Sequence, residues 1–361
     1  MSQKKKIAVV LLNLGGPCSK ESIKPFLFNF FMDKNIIRLP KPLRFLVAKL
    51  ISIRRTKREA GESYGELGDK SPLLENSEAQ GQILENSLNE NSSDYEFKNF
   101  ICMRYWHPMS DKVAQKVKEY APDQVIILPL YPQFSTTTTR SSLQVWDKAM
   151  KDLECSIPTA TICCYPWDEG FISASADNIK KIYEKAKKET KKKPRILFSA
   201  HGLPESIIKE GDPYQWQCEQ TAEKIAEQVI KITGENILDW QICYQSRVGP
   251  QKWIGPSTED ALEEAANDNV PVVILPHAFT QEHVETLVEI EIEYREEAEK
   301  MGLHDFYRVP TVGTHPDFIK GMADMVMARL DTTGIESDQR EPLCPSGSKD
   351  CCMKNAASYS F

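Results

Sequence analysis

The sequence predicts an α/β protein made of two similar doubly wound, parallel-sheet (Rossmann-like) domains with a cleft between them. Three observations carry that prediction. Short apolar runs of strand length alternate with longer stretches of helical period. The apolar runs are near-continuous, as in Ala8-Val9-Val10-Leu11-Leu12 and Val272-Val273-Ile274-Leu275, which suits strands covered on both faces. The alternation also starts afresh near residue 166, and the two halves have similar numbers of elements. The domains are therefore set at 1–165 and 166–330. From Asp331 the composition turns polar and rich in cysteine, so residues 331–361 read as a separate tail.

In the first half, strands are expected over 7–12, 97–104, 124–130 and 159–163, with helices over 76–88, 111–120 and 141–152. In the second half, strands are expected over 195–199, 240–244 and 272–275, with helices over 171–189, 214–232, 258–267 and 318–330. One further helix begins at about Gln281. Along it Glu282, Glu285, Glu289, Glu293 and Glu296 recur at three- and four-residue steps and form one stripe. Like charges at that spacing cost roughly 0.2–0.5 kcal/mol per pair. Two readings stay open on these residues alone. One is a solvated acidic face, eased by the helix N-terminus. The other is a line of carboxylates, with His283 beside it, that leads cations into a crevice.

Residues 25–53 stand apart. Phe26, Phe28, Phe30, Phe31, Leu43, Phe45, Leu46 and Leu50 are interleaved with Lys41, Arg44 and Lys49, and Arg54 and Arg55 follow. Core packing explains part of this stretch. Its composition is also that of a membrane-surface element or of an apolar lip around a ligand.

Composition excludes several classes. A net charge of −7 argues against nucleic acid as a partner. There is no apolar run long enough for a transmembrane helix. The run after the basic N-terminus is too short for a signal peptide and lacks a good cleavage site. A cytoplasmic protein is expected, and its ten cysteines then read as free thiols or metal ligands rather than disulfides.

In open parallel sheets, ligands bind beyond the carboxyl ends of the strands. The residues delivered there are Asn13 to Pro17, then Arg104, Tyr105 and His107, then Tyr131 to Ser135. The second half delivers His201, Gln245 to Pro250 with Trp253, and His277 followed by Glu282, His283 and Glu285. Histidine exchanges protons near neutral pH, so several on one edge point to chemistry. The dinucleotide fingerprint and classical zinc spacings are absent, and the one G-x-S-x-G run, Gly61-Glu-Ser-Tyr-Gly65, follows no apolar strand run and so does not read as a nucleophile elbow.

Six motifs occur in order from about residue 7 to 330. They are Leu12-Asn-Leu-Gly-Gly-Pro17, Tyr131-Pro-Gln-Phe-Ser135, Ser199-Ala-His-Gly-Leu-Pro204, Gln245-Ser-Arg-Val-Gly-Pro250, Trp253-Ile-Gly-Pro256 and His283-Val-Glu-Thr-Leu287. Together they resemble the ferrochelatase family. The resemblance implies an enzyme that inserts ferrous iron, its substrate metal, into protoporphyrin IX, the last step of haem synthesis. It implies His201 as the residue facing the ring nitrogens, with Glu285 as its partner. His201, Glu282, His283, Glu285, Glu289 and Glu293 would handle the metal or the displaced protons, because ferrous iron accepts imidazole and carboxylate. Leu14, Arg54, Arg55, Tyr64, Ser71, Arg104, Tyr105, Tyr131, Ser135 and Trp253 would bind the porphyrin. Leu14 stands where relatives often have Met. Residues 25–53 match the apolar lip that animal relatives use to meet a membrane, which implies peripheral contact at its inner face.

Some members of the family carry a 2Fe–2S cluster on three C-terminal cysteines and one internal cysteine. Cys344, Cys351 and Cys352 would supply the first three, and Cys164 or its neighbour Cys163 the fourth. Thr136 stands at the internal position used in animal enzymes, and the adjacent pair Cys351-Cys352 departs from the family spacing. Rival readings are a chelatase for coproporphyrin or a cobalt–corrin precursor, and a non-catalytic porphyrin or haem carrier. The sequence leaves a homodimer open.

Overall fold

A computed structural model describes residues 4–59, 64–247 and 249–358. Val248, part of one of the six motifs, lies outside the described residues. In chain order the strands are β1 (Lys5–Asn13), β2 (Tyr95–Met103), β3 (Gln124–Pro129), β4 (Thr159–Ile162), β5 (Arg195–His201), β6 (Trp240–Gln245), β7 (Val272–Pro276), β8 (Phe306–Arg308) and β9 (Gly334–Glu336). The helices are α1 (Lys20–Phe31), α2 (Lys41–Glu59), α3 (Leu73–Glu90), α4 (Ser110–Tyr120), α5 (Thr139–Asp152), α6 (Glu169–Thr190), α7 (Glu205–Lys209), α8 (Tyr214–Thr233), α9 (Thr258–Asn267), α10 (Val284–Leu287), α11 (Arg295–Lys300) and α12 (Pro316–Met327).

The chain forms two compact units. The first takes the residues up to Cys164, then Met322–Leu343 and those from Cys352 on; the second takes Tyr165–Gly321 and Cys344–Cys351. The first holds a parallel sheet of order β2-β1-β3-β4-β9, and the second a parallel sheet of order β6-β5-β7-β8. Parallel strands need crossovers, and the intervening helices supply them. Ala8 to Leu11 on β1 are fully buried, which is why that run carries no polar alternation.

In the first unit, Ala8, Val10, Val125 and Ile127 pack with Leu143 and Trp146 of α5 and with Val113 and Val117 of α4. β2 is the sheet edge, and α3 closes it with side chains. Asn89 accepts from Phe97 N–H at 3.0 Å and donates to Phe97 O at 2.9 Å, as a neighbouring strand would. Glu85 Oε2 accepts from Asn99 N–H at 2.7 Å. Edge strands invite pairing with other chains, and these side chains occupy the outward-facing amides.

Residues 331–358, read from the sequence as a separate tail, are built into the fold. β9 pairs with β4 in register Thr161↔Ile335. Arg329, 1% exposed, donates to Ser337 O, while Gln124 donates to Arg329 O at 2.9 Å and to Thr332 O at 2.8 Å. β8 and β9 have three residues each, too few to display a period. The 25–53 stretch becomes α1, a turn and α2.

In the second unit, Leu197, Ile274 and Val272 pack against Leu262 of α9, the segment Ile290 to Tyr294, and Ala298 of α11. On the other side Ala200 and Tyr244 meet Tyr214 and Cys218 of α8. This packing fixes the ends of β5, β6 and β7 close together.

Candidate active site

β5 ends at His201, whose Nδ1 lies 2.7 Å from Gly202 O. A carbonyl only accepts, so Nδ1 carries the proton and Nε2 presents its lone pair. Nε2 stands 3.8 Å from Glu285 Oε1, an ion-pair distance rather than a hydrogen bond, with the two side chains 34% and 28% exposed. Glycine at 202 permits this turn. A Cβ there would lie 3.0 Å from Gln245 O and 3.2 Å from the Trp253 indole. Trp253 thus flanks the His201 turn, tied by Ile254 N–H to Leu203 O at 3.0 Å.

The acidic stretch is not one regular helix, as its spacing suggests. α10 is followed by a π-helical turn, Glu289–Tyr294, and then by α11. Glu293 N–H bonds to Val288 O at 3.0 Å, one residue beyond the α pattern. Such turns are rare and cluster at functional sites. Here the turn faces Glu289 toward the end of β6. Its Oε2 accepts from Ser246 Oγ at 2.6 Å and Gln245 Nε2 at 3.0 Å, and its Oε1 accepts from Tyr294 OH at 3.2 Å. Ser246 has φ of 64°, unusual for a residue with a side chain. Gln245 also donates to Glu285 O at 2.9 Å. Burial first, and then the neighbouring Glu285, push the Glu289 carboxyl up to about 7.

The other predicted residues divide by partner. His283 caps α10: its Nδ1 accepts from Glu285 N–H at 3.1 Å, and burial lowers its pKa, which keeps it neutral. Glu282 is turned away from this group. Its Oε1 holds Arg308 Nη1 at 2.9 Å and Thr311 N–H at 3.0 Å, and its Oε2 accepts from Thr286 at 2.5 Å. Glu291 is likewise taken by Arg295 and Arg308. Glu293 is partly exposed. The structure therefore brings His201, Glu285 and Glu289 together, with Gln245, Ser246 and Tyr294 around them. Tyr294 reads in sequence as a packing residue, and nothing local marks it as a donor to a carboxylate.

In the first unit, the ends of β1 and β2 meet. Tyr105 N–H bonds to Leu14 O at 2.9 Å, Arg104 N–H to Asn13 O at 2.8 Å, and Ser71 N–H to Pro17 O at 2.8 Å. A Cβ on Gly16 would sit 2.5 Å from Ser71 Oγ, so a glycine is required for this approach. Leu14, Ser71, Arg104 and Tyr105 thus share one sheet edge. Tyr64 is buried nearby in sequence, Arg55 lies over the Phe31 ring at 5.7 Å, and Arg54 is exposed. The Tyr131 hydroxyl is buried, which pushes its pKa up. Ser135 is fully buried, and its hydroxyl is spent on the Thr137 hydroxyl and N–H in the turn before α5.

The tail cysteines are all buried: Cys344 8% exposed, Cys351 2% and Cys352 1%. Cys352 forms a disulfide with Cys163, and Cys164 Sγ lies 3.6 Å from Cys163 Sγ. Cys344 accepts from Gln217 Nε2 at 3.2 Å. Among the described residues, no group of three or more His, Cys, Asp or Glu is placed to hold a metal ion. A 2Fe–2S centre needs four thiolates, and a sulfur in a disulfide is not one. As placed, these residues do not fit a cluster, and no chemical step is derived through one.

A model of the ferrochelatase family matches residues 6–330. The chain belongs to the ferrochelatase family. It is 51% identical over 322 residues to a ferrochelatase from Wolbachia sp. subsp. Drosophila simulans, covering 89% of this chain and 98% of the relative. It is 46% identical over 351 residues to a ferrochelatase from Pelagibacter ubique, covering 97% and 99%. Among solved structures it is similar in fold to SirB from Bacillus subtilis with Fe3+, with TM-score 0.51 and 11% identity, covering 91% of this chain and 96% of that one. The enzyme is a metal chelatase, a lyase that inserts iron into a porphyrin in haem biosynthesis.

Proposed function

We propose that this chain inserts ferrous iron into protoporphyrin IX, with His201 taking the pyrrole protons and Glu285 and Glu289 carrying them away. Insertion replaces two N–H protons with a divalent ion, so a base must face the ring. The observation that carries the reading is the 2.7 Å contact between His201 Nδ1 and Gly202 O. With Nδ1 bonded to Gly202 O, Nε2 is free to accept a proton. Glu285, at 3.8 Å, stabilises the imidazolium that results. Glu289, poised at about 7, can hold or release a proton at neutral pH. The same three groups suit ferrous iron on its way in. His283 and Glu293 extend the proposed metal- and proton-handling set, and Glu282, held by Arg308 and by Thr311 N–H, is left outside it. Leu14, Arg54, Arg55, Tyr64, Ser71, Arg104, Tyr131 and Trp253 are the proposed porphyrin contacts, with Tyr105 and Ser135, whose side chains are fully buried, proposed as supports for them.

The proposal gives α2 a membrane-surface role. Leu43, Phe45, Leu46, Leu50 and Ile53 are exposed by 52%, 45%, 57%, 63% and 40%, interleaved with basic residues. No described helix is long and apolar enough to cross a membrane. A 2Fe–2S centre on Cys164, Cys344, Cys351 and Cys352 belongs to the proposal only in a form of the chain with the Cys163–Cys352 bond open; the support is the burial of all four residues.

An anaerobic insertion assay tests the reading, run with protoporphyrin and with coproporphyrin on protein whose iron and sulfide have been counted. His201→Ala abolishes insertion, and Glu285→Gln lowers turnover by about 10²-fold with the fold intact. Tight porphyrin binding with no insertion by the wild-type chain overturns the proposal. Faster turnover of coproporphyrin would reassign the substrate. Iron and sulfide in equal amount restore the cluster, and their absence from an active, anaerobically purified protein removes it.

A further inference from the structure

Asp33 follows α1 and its cap residue, and is 4% exposed. Its two oxygens are divided between different parts of the first unit. Oδ2 accepts from Tyr105 OH at 2.7 Å and from Ser141 OH, and pairs with Arg104 Nη2 at 3.0 Å. Oδ1 accepts from Asn35 N–H at 2.8 Å and from Asn35 Nδ2 at 2.9 Å. The Asp33 carbonyl also receives Ile36 N–H at 3.2 Å and Ile37 N–H at 2.9 Å. One side of this residue therefore holds the turn that leads into the exposed apolar helix α2. The other holds Arg104 and Tyr105.

The pair itself is arranged around that carboxylate. Arg104 Cζ stands 4.5 Å over the Tyr105 ring, and Arg104 Nε donates to Ser141 Oγ at 2.6 Å. From α1, Asn29 donates to Tyr105 O at 3.1 Å, and the Phe30 ring meets the Tyr105 ring edge-on at 5.0 Å. Burying a carboxylate and a guanidinium costs several kcal/mol, which pairing only partly returns, and apolar substitutes are often as stable. Stability alone therefore does not account for a buried Asp at the end of an apolar helix. Geometry does: without Oδ2, the guanidinium keeps only its bond to Ser141 and its place over the Tyr105 ring, and the phenol hydroxyl loses its carboxylate acceptor.

We propose that Asp33 is a positioning residue for metal insertion, which acts by orienting Arg104 and Tyr105 and by joining them to the α1–α2 turn. The inference rests on the reading that the porphyrin lies against Arg104, 14% exposed, with the fully buried Tyr105 ring packed beneath it. Asp33 itself touches no substrate. Losing its charge leaves Arg104 paired only with a hydroxyl, and a displacement of about 1 Å in a positioning group can cost about 10²-fold in rate.

The test measures kcat and KM for iron insertion together with porphyrin affinity by fluorescence quenching. The variants are Asp33→Asn, Asp33→Glu, Arg104→Ala, Tyr105→Phe and the double Asp33→Asn/Arg104→Ala. Asp33→Asn lowers kcat by about 10- to 100-fold with porphyrin affinity changed by less than about 3-fold, and Asp33→Glu recovers part of the loss. The double variant loses less than the product of the two single losses, because part of the Asp33 effect runs through Arg104. Full turnover in Asp33→Asn, while Arg104→Ala is impaired, overturns the positioning role. So does a loss in the double that equals the product of the two single losses. Normal turnover in both Arg104→Ala and Tyr105→Phe instead overturns the substrate-contact reading beneath it. If Asp33→Asn fails to fold, Ser141→Ala and Asn35→Ala loosen the two sides separately. Reduced kcat in Ser141→Ala, with normal melting, then carries the proposal, and normal kcat in it sinks the proposal.

Discussion

His201 and Glu289 have opposite relations to water, and that difference divides their work. His201 keeps a third of its side chain open and has one nitrogen tied to a carbonyl, so its free nitrogen can meet a ligand. Glu289 is enclosed, and three donors surround a carboxyl whose proton burial favours. This shift has a sign in the folding equilibrium. The unfolded chain loses the Glu289 proton near the ordinary value of 4.5, and the folded chain keeps it to about 7. Between those values the folded state binds more protons. The stabilising contribution is therefore full below about 4.5 and is lost as the pH rises through about 7. Urea titrations at pH 5 and pH 8 should show wild type losing stability relative to Glu289→Gln across that interval. Parallel curves for the two proteins would mean that Glu289 titrates normally.

Elements matter where one closes another. α3 lies along β2, and Asn89 satisfies both the N–H and the C=O of Phe97. Asn89→Ala leaves both groups without a partner and should cost about 1–3 kcal/mol in unfolding free energy. Asn86→Ala, which removes only an exposed contact with Gln82, should stay within about 0.5 kcal/mol of wild type. The Asn89 variant should also self-associate with rising concentration in sedimentation runs, because an edge has been opened. The π-helical turn is a second such case. The four-residue spacing of Glu285, Glu289 and Glu293 reads as one stripe on a regular helix. The extra residue per turn separates their environments, with Glu289 enclosed and Glu293 partly exposed. No residue between Val288 and Arg295 announces the widened turn, since it depends on what packs against it: Ser246, Gln245 and the core around Ile290.

The whole molecule adds a surface. A protein of net charge −7 presents one helix with both exposed apolar side chains and basic residues. Single exposed apolar residues are ordinary, but six between Leu39 and Ile53 on one segment form a patch that suggests contact with something apolar. Leu46→Ser with Leu50→Ser should lower co-sedimentation with anionic vesicles at least several-fold, and should leave insertion into detergent-solubilised porphyrin within about 2-fold of wild type. Equal vesicle binding by both proteins would leave the patch without its membrane role. The order of β1 to β7 with the helices α3 to α6, α8, α9 and α12, the burial of those strands and the strand-end position of His201 were legible in the sequence. Each follows from local periodicity or from an ordered motif. β9 and the folded tail were not legible, because three residues show no pattern and their partner lies about 170 residues away.

By itself, then, the sequence determined the alternation of parallel strands and helices, the residues carried at the strand ends, and the family they resemble. Those depend on side-chain period and on residue identity, which a linear reading contains. Only the tertiary structure decided that Glu289 is enclosed by Gln245, Ser246 and Tyr294, that Glu282 is bound to Arg308, and that Cys352 is joined to Cys163. It also decided that Asp33 holds Tyr105 and Ser141, 72 and 108 residues away. Charge state and direction at these sites come from burial and from distant partners, and both quantities exist only once the chain has closed on itself.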